Sequence, residues 1–143
     1  PVRKKKFIIV LFDQEEDDEV GSHSFAKKLK ECKIDIHSVH ITDVVGWDPN
    51  DDNLTQLQSP TTALEALYKS VGQEMDIPLR VVGGGASDNK SFLEAGFNTV
   101  GVFSDDLTPH IHKSTDNFDS IDFEYLETTT ELIFQALKKL AEK

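Results

Sequence analysis

Three groups of titratable side chains, each just after an apolar stretch, carry the chemistry this sequence could do: Glu15-Glu16, Asp43, and His112 with Asp116. Carboxylates and imidazoles gathered at one sheet edge are the donors of a hydrolytic zinc centre, and a spare carboxylate beside them can take a proton from water. Each group also has an ordinary reading. With 26 acidic residues in a chain of 143, adjacent acidic pairs arise by chance, and a solvated turn would hold Glu15-Glu16 as readily. Asp43 reads equally as a ligand or as a turn cap. His112 is one of five histidines, and a single histidine is more often a surface or satisfied core residue than a ligand. Asp116, four residues further on, offers a carboxylate that would fix the tautomer of a ligating ring. Placement is what lifts these groups above chance, because ligand sites in open α/β sheets lie outside the carboxyl ends of the strands.

Other chemistries find less support. GGASDNKS, residues 84–91, misses the phosphate-cradling GxxxxGK[ST] pattern: Asn89 stands at the second glycine, and Asp88 would repel phosphate. Ser22, Ser87 and Ser91 lie in no GxSxG elbow, and there is no CxxC, HExxH or EF-hand pattern. Any metal site must therefore be assembled from separated strand ends.

The elements that would position these groups alternate, which predicts a three-layer α/β/α domain over residues 1–143 with a largely parallel or mixed sheet of about four strands. Phe7–Phe12 is a continuous apolar run of strand length, expected as a central strand that delivers Glu15-Glu16. A helix follows from Gly21-Ser22 to about Lys30. Residues Ile34–Thr42 alternate in polarity and deliver Asp43 as a second strand. Asp48–Asn53 is turn chemistry and predicts a surface loop. Ser59-Pro60 reads as a cap and first helical position, with apolar spacing through Met75 to Asp76. Leu79–Val82 is a short strand, Gly83–Gly85 a turn, Asp88–Ala95 a short helix closed by Gly96, and Phe97–Phe103 a fourth strand. The aperiodic Ser104–Ser120 stretch holds His110 and His112, and a helix follows from Ile121.

Composition bounds the partners. Net charge is −11, which disfavours nucleic acid and anionic lipid and attracts cations. The basic residues Arg3–Lys6 read as a solvated lead-in. No apolar run reaches the roughly 18 residues of a membrane span, so neither nucleic acid nor membrane is an expected partner. Cys32 is the one cysteine, which excludes an internal disulfide and leaves the compartment open. The chain begins at Pro1 and its one methionine is Met75, so its start is expected to be trimmed or cut from something longer.

Taken in order, four segments resemble the second half of the catalytic domain of the M28 family of zinc peptidases. FDQEEDDEVGSHSF (12–25) is similar to the family's Glu-Glu segment ending in Gly-Ser, and ITDVVGWD (41–48) to its Asp-Met-Val-Gly strand end. SDNKSFLEAGFNTVGVF (87–103) resembles the Ser-Asp-His-x-x-Phe block, and HIHKSTDNFDSID (110–122) the His-Thr-x-x-Asp-Thr segment. The resemblance implies a zinc-dependent aminopeptidase-type exopeptidase acting on peptides, with Glu15 as general base. It makes Glu16 and His112 ligands of one zinc and Asp43 a ligand of another, with Asp88 and Asp116 behind them. It also implies relatives that are glutaminyl cyclases and relatives that keep only the scaffold for interaction, two further readings of this chain. Members are often exported.

The chain departs from that pattern at Asp18, Asn89 and Lys113, where the family usually has glycine, histidine and threonine. The family's His-x-Asp-Ser segment and bridging aspartate precede its Glu-Glu pair, and only 14 residues precede Glu15 here. Each zinc would keep one or two protein ligands instead of three, so the chain alone is expected to be inactive. The absent segment would also carry strands, leaving an open sheet edge by which the chain self-associates or takes a partner.

Overall fold

The computed structural model describes residues 6–84 and 87–142. Four strands form one mixed sheet: β1 (Val39–Thr42), β2 (Thr55–Gln58), β3 (Leu79–Val82) and β4 (Thr99–Ser104), in the order β1-β4-β2-β3. β1 runs parallel to β4 and β2 parallel to β3, while β2 and β4 are antiparallel. β4 is buried at every residue, as expected for a strand with neighbours on both edges and helices on both faces.

Side chains alternate across this sheet and sort the core into two clusters. On one face, Leu57, Val100 and Val102 pack with Leu64, Tyr68 and Val71 of α2 (Thr62–Met75), and with Leu132 and Ala136 of α4 (Phe123–Glu142). On the other, Ile41 packs with Ala26 of α1 (Val20–Glu31) and Phe92 of α3 (Asn89–Glu94). These are the three layers that the alternation of elements predicts.

Several elements differ from expectation, each for a physical reason. Phe7–Phe12 is no strand. None of the backbone hydrogen bonds among the described residues involves it, and apart from Phe12 it stands in solvent, with Ile9 91% and Leu11 94% exposed. A strand needs a backbone neighbour, and this segment is anchored instead by a side chain, Phe12, which stacks on Phe25 and Phe92 at 5.7 and 5.8 Å.

The fourth strand is instead Thr55–Gln58, which has one apolar residue and so carried no apolar signal; its buried side chains are Thr55 and Leu57. The strand expected over Ile34–Thr42 is formed only at Val39–Thr42, and Ile34 is half exposed. α2 starts after Thr61, not at Ser59, because the Ser59 and Thr61 amides bond the Val82 and Thr99 carbonyls at 2.8 and 3.1 Å. Those amides are still tied to the strands β3 and β4. Of the Gly83–Gly85 turn, Gly85 lies outside the described residues, as do Arg3–Lys5 of the basic lead-in. No described helix is long and apolar enough to cross a membrane.

Candidate functional site

Glu15 and Glu16 sit in the turn between the Phe7–Phe12 segment and α1. Its shape is set by backbone bonds from the Val20 amide to the Gln14 carbonyl (3.1 Å) and from Glu19 to Glu15 (2.9 Å), with Gln14, Asp18 and Glu19 at positive φ. The entry to α1 folds back so tightly that a Cβ on Gly21 would lie 2.5 Å from the Asp13 carbonyl oxygen. Only glycine allows that approach.

Asp43 is the first residue beyond β1. Its Oδ1 accepts from the Val44 amide and its Oδ2 from the Ser87 hydroxyl, both at 2.8 Å. The expected cap and the expected ligand position are thus the same carboxylate. Val44 follows at φ 43°, a left-handed conformation that costs a β-branched residue energy and is found where surrounding structure imposes it.

His112 comes from the loop after β4, itself at φ 59°. Its Nε2 lies 2.8 Å from Glu16 Oε1, with both side chains mostly exposed. Asp116 is exposed on the same loop, and its amide bonds the Lys113 carbonyl at 3.0 Å. His110, the other histidine of this loop, stacks edge-on against Trp47 and bonds the Thr115 hydroxyl.

Asp88 stands at the start of α3. Burial, opposed by the Ser22 hydroxyl and assisted by Asp43 and Glu19, raises its carboxyl above the ordinary value, and its Oδ1 is buried with no hydrogen-bond partner among the described residues. Glu15 is raised as well, first by burial and then by the negative charges of Asp43, Glu16, Asp88 and Glu19. Four segments far apart in the chain therefore converge, and Glu15, Glu16, Asp43, Asp88, His112 and Asp116 all line one cleft of about 2080 Å³.

Two neighbours carry parts that their sequence context does not announce. Ser87 orients Asp43, although as a serine before a short helix it reads first as a cap. Glu19 adds negative charge at the site while pairing with Lys90 at 3.3 Å; its partner is 71 residues away, a pairing that no local pattern reveals.

The pattern of peptidase family M28 matches residues 1–137. The chain belongs to peptidase family M28. Among solved structures, the LapA aminopeptidase of Legionella pneumophila is similar at 23% identity with a TM-score of 0.81, over 92% of this chain and 38% of LapA. LapB of the same organism is similar at 21% identity and TM-score 0.85, over 92% of this chain and 38% of LapB. BSAP, a zinc aminopeptidase from Bacillus subtilis, gives 21% and 0.80, over 90% of this chain and 34% of BSAP. At these identities the likeness is one of fold, and this M28 chain spans 34–38% of the length of those three relatives. No curated protein matches the sequence.

Membership of M28 implies zinc, and the donors can be tested against it. Their types fit: a carboxylate and an imidazole, Glu16 and His112, already meet at 2.8 Å. Their number does not, since no group of three or more His, Cys, Asp or Glu among the described residues is arranged to hold a metal ion, whereas hydrolytic zinc takes three protein ligands.

Proposed function

We propose that this chain supplies part of the catalytic centre of a zinc-dependent aminopeptidase-type exopeptidase, and that it is inactive until further ligands are added. In this reading Glu16 and His112 would hold one zinc and Asp43 another, with Ser87 keeping Asp43 oriented. Zinc, when bound, supplies Lewis acidity toward water and the peptide carbonyl. Glu15 takes the proton of the attacking water. Its burial and the surrounding carboxylates make it a stronger base than a solvated glutamate, which suits that task. Asp88 and Asp116 line the same cleft and add negative charge that favours cations over anions there.

The observation that carries this reading is the convergence of Glu15, Glu16, Asp43 and His112 on one cleft, with Glu16 and His112 in direct contact. Zinc titration followed by calorimetry tests it. The isolated chain should bind zinc weakly, and Glu16→Gln should weaken that binding at least about 10-fold, the lower end of what even a partner behind a ligand is worth. Cleavage of an amino-acid anilide should be absent with the chain alone. Zinc uptake indifferent to Glu16→Gln, or turnover by the chain alone, would overturn the proposal.

A further inference from the structure

β4 lies between two other strands and is buried throughout, yet its interior carries a glycine, Gly101. Glycine inside a strand weakens it and marks a place where another group comes close. A Cβ on Gly101 would run into the Phe103 ring and lie 3.0 Å from Asn89 Nδ2. The Asn89 carboxamide, from the first residue of α3, is therefore laid over the strand at this point. Gln58 of β2 stands opposite Gly101, and Thr99 precedes it by two residues on β4. Cross-strand partners and alternate residues of one strand share a face, so Gln58, Asn89 and Thr99 border the same spot.

All three side chains end in orphaned polar atoms. Asn89 Nδ2 and Oδ1, Thr99 Oγ1 and Gln58 Oε1 are four of the seven buried side-chain atoms that have no hydrogen-bond partner among the described residues. Asn89 and Thr99 are fully buried. Gln58 Nε2 donates to Gln56 Oε1 at 2.8 Å, which leaves the Gln58 oxygen to find its own donor. Exchanging the nitrogen and oxygen of Asn89 changes nothing, because both ends are orphaned. Buried polar side chains in folded proteins are hydrogen-bonded almost without exception, to protein or to ordered water.

We propose that Gln58, Asn89 and Thr99 hold internal water over Gly101. Water suits this set because it both donates and accepts. It donates to Gln58 Oε1 and Asn89 Oδ1 and accepts from Asn89 Nδ2 and the Thr99 hydroxyl, within the two to four partners that a buried water takes. A cation would meet the Asn89 amide hydrogens, and an anion the two carboxamide oxygens. Gln58 and Phe103 also line the cleft, which gives water its route in. The site ties the start of α3 to β2 and β4 and so steadies Asp88, the residue before that helix. None of this uses zinc or a catalytic role, and it stands or falls apart from them.

Water–protein NOE spectroscopy on the intact chain tests it. The Asn89 side-chain amide should show a direct NOE to water with the sign of a long-lived site, and the exposed Asn50 amide should not. Thr99→Val keeps the shape and removes the hydroxyl, so it decides by direction. If the hydroxyl is bonded to water, the unfolding equilibrium constant should rise about 5-fold, the worth of one hydrogen bond. A constant unchanged or lowered, or no long-lived water at Asn89 in the wild-type protein, would overturn the proposal; the wild-type spectrum is sufficient if the variant does not fold. Stability that rises at least about 5-fold in sodium or potassium chloride over choline chloride at equal ionic strength would also overturn it, because the site would then belong to a cation.

Discussion

The His112 imidazole Nε2 and the Glu16 carboxylate Oε1 meet at 2.8 Å although 96 positions separate them (112 − 16). The pair is exposed, and exposed ion pairs contribute about 0–1 kcal/mol to stability. Stability is therefore a weak reason for these two groups to be held together.

His112→Gln should accordingly leave the urea midpoint almost unchanged, within about 0.5 kcal/mol. Zinc uptake should fall at least about 10-fold. Denaturation and calorimetry on the same protein separate the two roles: a large loss of stability with unchanged zinc uptake would make the pair structural.

Gly21→Ala should damage the turn that carries Glu15 and Glu16. The new methyl would lie 2.5 Å from the Asp13 carbonyl oxygen and 2.9 Å from its Oδ1, and overpacking of this kind costs about 1–3 kcal/mol. Thermal or urea unfolding reads that cost; a midpoint equal to wild type would show that the turn gives way freely.

Ser87→Ala removes the buried hydroxyl that donates to Asp43 Oδ2. A hydrogen bond to a charged group contributes about 1.5–3 kcal/mol, and since Asp43 can recover part of that from water, the expected loss is about 1 kcal/mol. Ser87→Thr, which retains the hydroxyl, should lose less if the larger side chain fits. Unfolding of the two variants compared with wild type checks the order.

His40 should make stability depend on pH. Burial, helped by the charge of His37, lowers its pKa from 6.5 to about 4, and its ring is engaged by the Ser38 and Tyr68 hydroxyls at 3.0 and 2.9 Å. Between those two values the unfolded chain binds a proton that the folded one does not, so stability falls as pH drops below 6.5 and the loss is complete below about 4. The shift corresponds to at most about 3 kcal/mol. His40→Gln should flatten the difference in urea stability between pH 7 and pH 5 relative to wild type; an unchanged slope would refute the assignment.

The legibility of this molecule follows the range of the forces involved. Helices α1, α2 and α4 were readable because an apolar stripe at helical spacing is a local property, and the same holds for β3 and β4. β2 was not, because Thr55–Gln58 is held by two neighbouring strands and offers a single apolar side chain of its own. Phe7–Phe12 shows the converse: its strand-like composition is unmistakable, yet composition supplies no backbone partner, and without one the segment stands in solvent.

The same division runs through the candidate site. The sequence by itself determined which residues could do the chemistry, since the order of the Glu-Glu, Asp and His segments is a property of the chain. Their meeting was decided only by the tertiary structure. The Glu16–His112 contact, the grip of Ser87 on Asp43 and the crowding of carboxylates around Glu15 all join residues from separate elements. Distances of a few ångströms across such gaps are set by sheet order and turn geometry, which no local pattern encodes.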